Sequence, residues 1–241
     1  MISDTLVKTL IDFTLGDGSI SFPLTDKRGA RFKLEHSIKQ RDYLWHKAQI
    51  LKDLGLDGNE VIQERVVKGK TYQTISYVTK NHQSILTARK WLYNQRVKKI
   101  DKALLRQLDA KSIAYWFMDD GSGPKTKKSS SIVDGKRYTY IYPEHKIERY
   151  TFSTYNCTLD EINLIRDWFL SEYSIETHAK LDKRSKNCLG VFISIDGIEN
   201  KDKFREIVKP YIIPSMQYKI DGIHTFKGLQ YSAVTTEREN S

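Results

Sequence analysis

The chain has 241 residues, 39% of them hydrophobic, with two cysteines, a formal net charge of +10 and a pI near 9.4. That apolar share supports a core without disulfide staples, and Cys157 and Cys188 lack the paired spacing of a zinc site. No apolar run reaches the length of a membrane span and no secretory leader is visible, so the reading is of an intracellular or organellar chain whose basic surplus favours polyanionic partners.

Ser3 to Gly16 reads as a helix capped by Ser3, with Leu6, Val7, Leu10, Ile11, Phe13 and Leu15 leaving little of its surface polar. A helix apolar on nearly every side packs against two partners. Gly16-Asp17-Gly18 ends it sharply. Ala30 to Ser37 then alternates, Arg31, Lys33 and Glu35 on one face and Phe32 and Leu34 on the other, which predicts a half-buried strand. Arg41 to Leu54 predicts a helix with Leu44, Ala48 and Leu51 as its stripe. Strands follow around Val61–Val67 and Thr71–Thr79, then a helix from about His82 to Tyr93.

The pattern restarts with the apolar helix Ser112–Asp120, stopped by Gly121-Ser122-Gly123-Pro124. Arg149 to Ser153 alternates, with Arg149, Thr151 and Ser153 outward and Tyr150 and Phe152 inward. Thr158 and Glu161 form a capping box that opens a helix through Ser174. Val191–Asp196 is strand-like, and Lys201–Tyr211 is helical until Pro210 and Pro214 interrupt it. The order helix, strands, helix, strands, helix thus occurs twice, and Arg31-Phe32-Lys33-Leu34 is echoed by Arg149-Tyr150-Thr151-Phe152, a two-unit internal repeat. The second unit carries extra residues in Pro124–His145, where Lys125, Lys127, Lys128, Lys136 and Arg137 accompany Tyr138, Tyr140 and Tyr142. Val133-Asp134-Gly135-Lys136 has the signal of a hairpin turn. Acids collect on the helix 158–174 and bases on the strands and hairpin, so the sheets present the phosphate-attracting side.

Leu10-Ile11-Asp12-Phe13-Thr14-Leu15-Gly16-Asp17-Gly18 and Ile113-Ala114-Tyr115-Trp116-Phe117-Met118-Asp119-Asp120-Gly121 lie 103 positions apart, each at the start of a repeat. They resemble the two motif helices of the LAGLIDADG homing endonuclease family in its single-chain, two-motif form. The stretch Lys209-Pro210-Tyr211-Ile212-Ile213-Pro214-Ser215-Met216-Gln217-Tyr218-Lys219 is similar to the same members. The resemblance implies an α+β fold of two pseudo-symmetric αββαββα repeats, residues 1–108 and 109–220 with a tail at 221–241. The motif helices would pack at the centre and two antiparallel sheets would face DNA. It implies a monomer that makes a double-strand break in a long, non-palindromic double-stranded DNA target, with two or more Mg²⁺ ions at the repeat interface and an organellar, mitochondrial setting. Intron RNA is the alternative partner, since some members act as maturases that assist splicing.

The chemistry fits the resemblance. Two helices packed side by side would bring Asp17 and Asp120 together at negative helix C-termini, a repulsive arrangement that cations relieve. Carboxylates are the usual hard ligands for Mg²⁺. The family adds the backbone carbonyls of Gly16 and Asp119 as ligands, while the Asp119 side chain is read as a helix-end solvating group rather than a water-mediated ligand. A catalytic-centre lysine of the family falls on Lys219. Allowing for the longer connection in the second half, its counterpart is Lys99, with Lys98 the competing choice. Arg31, Lys33 and Glu35, with Arg149, Thr151 and Ser153, are placed to face a DNA groove. Gln63, Arg65, Lys180 and Arg184, and Lys127, Lys128, Lys136 and Arg137 of the hairpin, are further candidate DNA contacts. The motif's glycine position, where close helix crossing relies on a small residue, is Asp12 in one copy and Tyr115 in the other. That leaves helix spacing open, with Asp12 either facing outward or pairing with a base.

Overall fold

The computed structural model describes residues 4–21, 29–123, 128–133, 136–141, 149–182 and 190–221, with side chains omitted at 128–141 and at 221. The first half runs α1 (Asp4–Leu15), β1 (Ser19–Ile20), β2 (Phe32–Ser37), α2 (Arg41–Asp53), β3 (Gly58–Val67), β4 (Lys70–Thr79) and α3 (Gln83–Leu92). A short ribbon, β5 (Tyr93–Asn94) with β6 (Val97–Lys98), and one helical turn, α4 (Lys102–Leu105), lead to the second half. There the chain forms α5 (Ala110–Asp120), β7 (Gly121–Ser122), the paired strands β8 (Lys128–Val133) and β9 (Lys136–Ile141), and β10 (Tyr150–Ser153). It continues with α6 (Leu159–Tyr173), β11 (His178–Leu181), β12 (Val191–Ile195) and α7 (Ile198–Val208), and ends on α8 (Tyr218–Asp221). With the β8–β9 ribbon set aside as an insertion, each half reads αββαββα, as the sequence predicts.

The two sheets repeat one topology. The first is ordered β1-β2-β4-β3 and the second β7-β10-β12-β11, all neighbours antiparallel. In both, the strand that follows the motif helix is an edge and the alternating strand lies inside. Phe32, Leu34 and His36 of β2, like Tyr150 and Phe152 of β10, point into the core, because successive residues of a strand face opposite sides. The β8 and β9 strands pair from Lys128↔Ile141 to Val133↔Lys136, which agrees with the hairpin reading, and the turn residues themselves lie outside the described residues.

Local signals set the helix starts. Asp109 caps α5 by accepting from Ser112 N–H, and Thr158 with Glu161 closes a full capping box on α6. α7 begins earlier than the sequence predicts, after Gly197, whose φ of 78° is a conformation glycine adopts without penalty. Two-residue β1 and β7, the β5–β6 ribbon and α4 carry too few residues for a period and were not anticipated. Among the described residues no helix is long and apolar enough to cross a membrane.

Candidate active site at the ends of the motif helices

α1 and α5 are apolar because both are buried on nearly all sides, with Leu10, Phe13, Phe117 and Met118 fully inaccessible. They cross against each other. The Phe13 and Tyr115 rings meet edge to face at 4.8 Å, and Ser112 Oγ donates to Asp12 Oδ1 at 2.7 Å. Asp12 therefore faces inward and pairs with a base, Lys8, at 2.6 Å. Burial pushes its carboxyl up, and Lys8 and Ser112 act against that shift. The close approach rests on Gly16, where an added Cβ would collide with the Cβ and carboxylate of Asp119.

The crossing brings Asp17 near enough to Asp120 for its charge to act there. Asp120 is pushed up to about 7, first by burial and then by the charges of Asp17 and Asp119, against the pull of Lys98 and Lys219. Asp17 also loses solvent, but His36, Lys47 and Lys219 outweigh that loss and hold its carboxyl below the usual range. Two neighbouring acids are thus driven apart in proton affinity by their surroundings.

Each motif helix end is met by a lysine ammonium, from buried Lys219 in one half and from Lys98, on the exposed strand β6, in the other. Lys219 donates to the carbonyls of Phe117 (3.3 Å), Asp119 (3.1 Å), Gly121 (2.9 Å) and Met118. Lys98 donates to the carbonyls of Thr14 and Gly16, both at 2.8 Å. Thr14 and Gly16 stand in the first motif where Phe117 and Asp119 stand in the second, so Lys98 is the structural counterpart of Lys219. This corrects the expectation for Lys99. Its ammonium turns away to Asp101 at 2.7 Å, because adjacent residues leave a strand on opposite sides. Burial lowers both Lys98 and Lys219, the latter to about 8, while the nearby carboxylates resist the shift. The cations also satisfy C-terminal carbonyls that the helices leave without partners.

The Asp119 side chain, expected to solvate a helix end, is inaccessible and takes Lys47 Nζ on both oxygens, at 2.6 and 2.8 Å. Asp119 Oδ2 further accepts the backbone N–H of Asp17 at 3.1 Å. Lys47 Nζ lies 3.4 Å from His36 Nε2, and His36 Nδ1 faces Asp17 Oδ2 at 3.2 Å. Neither Lys47 nor His36 stands out in sequence by spacing. The available signal is that each occupies an inward place, His36 continuing the Phe32–Leu34 row and Lys47 lying between Leu44 and Leu51 on the buried stripe of α2.

The donor set suits a hard divalent cation. Asp17 and Asp120 supply carboxylate oxygens, and the carbonyls of Gly16 and Asp119 keep a second lone pair beyond the one each gives to a lysine. The repulsion that lifts Asp120 is what such a charge would relieve. Asp17, His36 and Asp119 also offer ligand atoms within 4.8 Å of one another, yet both oxygens of Asp119 are already engaged by Lys47.

The strand positions expected to face DNA fall on shared sheet faces. Through the registers Lys33↔Val78, Glu35↔Ser76, Gln63↔Thr74 and Arg65↔Tyr72, the residues Lys33, Glu35, Gln63 and Arg65 lie on one side of the first sheet. Thr151↔Ser194 and Lys180↔Phe192 likewise place Thr151, Ser153 and Lys180 on one side of the second. Several are already paired: Lys33 with Glu35, Lys180 with Asp196 at 2.6 Å, and Arg31 with Asn81 at 3.2 Å. Arg149 is partly exposed just before β10. Lys128, Lys136 and Arg137 lie on the β8–β9 ribbon, described by its backbone; Lys127 and Arg184 lie outside the described residues.

Residues 9–202 match the LAGLIDADG DNA endonuclease family. Protein RecA of Mycobacterium shimoidei is 26% identical over 226 residues, which cover 91% of this chain and 47% of that protein. The chain thus spans about half the length of the first curated relatives it matches. A probable intron-encoded endonuclease 1 of Wickerhamomyces canadensis is 25% identical over 221 residues, covering 88% of this chain and 82% of that one. Among solved structures, the homing endonuclease I-WcaI bound to its DNA recognition sequence superposes with a TM-score of 0.72 over 91% of this chain and 87% of that one. At 22% identity that likeness is one of fold.

Proposed function

The chain belongs to the LAGLIDADG DNA endonuclease family, and we propose that it is a site-specific homing endonuclease that makes a double-strand break in a long, non-palindromic DNA target. Two paired sheets in one chain let each half read a different sequence, over roughly two helical turns of DNA. In this reading the active form is a monomer encoded by an intron, an origin the intron-encoded relative supports, and its organellar, mitochondrial setting follows from the family resemblance alone.

The observation that carries the reading is that two crossing helices bring Asp17 and Asp120 within reach of each other's charge, with a lysine ammonium on the end carbonyls of each helix. In this reading Asp17, Asp120 and the carbonyls of Gly16 and Asp119 hold Mg²⁺. Bound there, the metal would supply Lewis acidity at the phosphate and lower the pKa of a water. The chain's own residues do the rest. Lys98 and Lys219 fix the helix ends and hold positive charge beside the place where negative charge develops on the phosphate. Lys219, at about 8, stays largely protonated at neutral pH.

Incubating a supercoiled plasmid library with the protein and Mg²⁺, and sequencing the linear products, tests the activity. Cutting at one sequence family, lost with EDTA and lost in Asp17→Asn and Asp120→Asn, is expected. Intact plasmid, or cutting that survives both substitutions, would refute the proposal.

A further inference from the structure

Asp17 and Asp120 occupy equivalent places, but their supports differ. Asp17 is held at two points, its backbone N–H on Asp119 Oδ2 at 3.1 Å and its carboxylate facing His36 Nδ1 at 3.2 Å. Behind them Lys47 joins the two holders, donating to both oxygens of Asp119 and lying 3.4 Å from His36 Nε2. A lysine ammonium only donates, so His36 Nε2 must accept, which leaves the proton on Nδ1 and turns a donor to Asp17. That Nδ1 is buried and makes no aligned hydrogen bond among the described residues; the Asp17 carboxylate at 3.2 Å is the acceptor it faces. Lys47, Asp119 and His36 are all but inaccessible, and the Lys47 ammonium also lies 4.2 Å over the Tyr43 ring.

Among the described residues, none of the three holders has a positional counterpart in the other half. Gly16 stands in the first motif where Asp119 stands in the second, so nothing beyond a hydrogen is there to hold Asp120. Strands β2 and β10 and the caps Gln40 and Thr158 align at one separation, which sets Thr154 at the place of His36 and Ile165 at that of Lys47. Thr154 spends its hydroxyl on the Val191 carbonyl at 2.9 Å, and Ile165 is core. Among the described residues the Asp120 carboxylate has no hydrogen-bonded partner of its own. The fold is repeated, but the clamp is not.

We infer that Lys47, Asp119 and His36 are positioning residues that clamp Asp17 and have no counterpart for Asp120, so that the two strand cuts depend unequally on this network. The inference rests on the endonuclease reading above. A clamp fixes its carboxylate before DNA arrives, and small misplacements of a reacting group are costly in rate. Removing it should therefore slow the cut that relies most on Asp17 and spare the other.

The test uses the full chain, Mg²⁺ and a supercoiled plasmid carrying a site recovered by the cutting selection. In His36→Leu one strand's cut should fall roughly tenfold to a hundredfold relative to the other. Nicked circle should then accumulate, with the break always in the same strand on a denaturing gel. His36→Asn, whose amide nitrogen sits about where Nδ1 was, should restore the wild-type ratio. Lys47→Met with Asp119→Asn removes the buried charges together and carries the same test should His36→Leu fail to fold. Plasmid binding in EDTA and the thermal midpoint report on folding separately. Equal slowing of both cuts, no slowing, or nicks scattered between strands would overturn the inference. A wild-type protein that cuts nothing defeats the endonuclease reading first, before any variant is compared.

Discussion

Lys98 and Lys99 are neighbours with opposite surroundings, and the difference has a measurable consequence. Lys98 reaches the carbonyls at the end of α1 and feels the charges of Asp17, Asp119 and Asp120, whereas Lys99 sits in a solvent-exposed pair with Asp101. In single-turnover cutting with Mg²⁺, Lys98→Met should lower the rate by roughly a hundredfold, the scale seen when one charge-stabilising donor is removed. Lys99→Met should stay within about twofold of wild type, as surface substitutions usually do. The opposite ranking would restore Lys99 to the site. Counting along the chain could not settle the choice, because β6 has two residues and a slip of one reverses which side chain points inward. Asp17 and Asp120 were legible as acids at the ends of two apolar helices long enough to show a period, whereas Lys219 was singled out only by the family resemblance of the stretch 209–219. Lys47 and His36 were visible as inward positions, but their partner Asp119 comes from the other half, and no local pattern pairs residues across that distance.

At the scale of the elements, the crossing of α1 and α5 is where sequence and packing meet most tightly. The sequence left their spacing open, because the residues at the motif's glycine position are Asp12 and Tyr115. Both are accommodated: Asp12 hydrogen-bonds Ser112 across the interface, and Tyr115 packs edge-on to Phe13 and meets His46 at 3.1 Å. The tight point lies one turn later, at Gly16 against Asp119. Gly16→Ala would place a methyl where the Asp119 side chain already is, so one helix end must shift. Overpacking of this kind costs about 1–3 kcal/mol. In a chain of this size that lowers the thermal midpoint by roughly 2–12 °C. Cutting should fall further than stability does, because the displaced residue adjoins Asp17. Calorimetry alongside cutting assays checks both, and an unchanged midpoint would show that the helices are less closely set. The longer elements were legible because their periods run for several residues. The connections were not, because β1, β7, β5–β6 and α4 are stabilised by what they touch rather than by a repeat of their own.

For the molecule as a whole, the charge distribution makes a prediction independent of the cutting chemistry. A net charge of +10 is an average over unlike parts: α6 carries Asp160, Glu161, Asp167 and Glu172 against Arg166, the strands of the two sheets carry Lys33, Arg65, Lys70 and Lys180 beside Glu35, Glu60 and Glu64, and the β8–β9 ribbon carries Lys128, Lys136 and Arg137. Binding to duplex DNA should then proceed mainly through phosphate contacts and release condensed counterions. Each phosphate neutralised contributes about −0.9 to the slope of log K against log salt. The pairs Lys33–Glu35 and Lys180–Asp196 reduce what those strands offer, since each lysine must exchange a carboxylate for a phosphate. Even so, six or more contacts from two sheets would weaken binding by roughly a thousandfold or more between 50 and 200 mM salt. A fluorescence-anisotropy titration of labelled target DNA in EDTA, which keeps the DNA intact, reads the slope directly. Lys33→Gln and Lys180→Gln should each flatten it by less than one contact's worth, because their carboxylate partners already hold part of the charge. A slope shallower than about −2 for the wild-type chain would mean that the sheets do not track the phosphate backbone, whatever happens at Asp17 and Asp120.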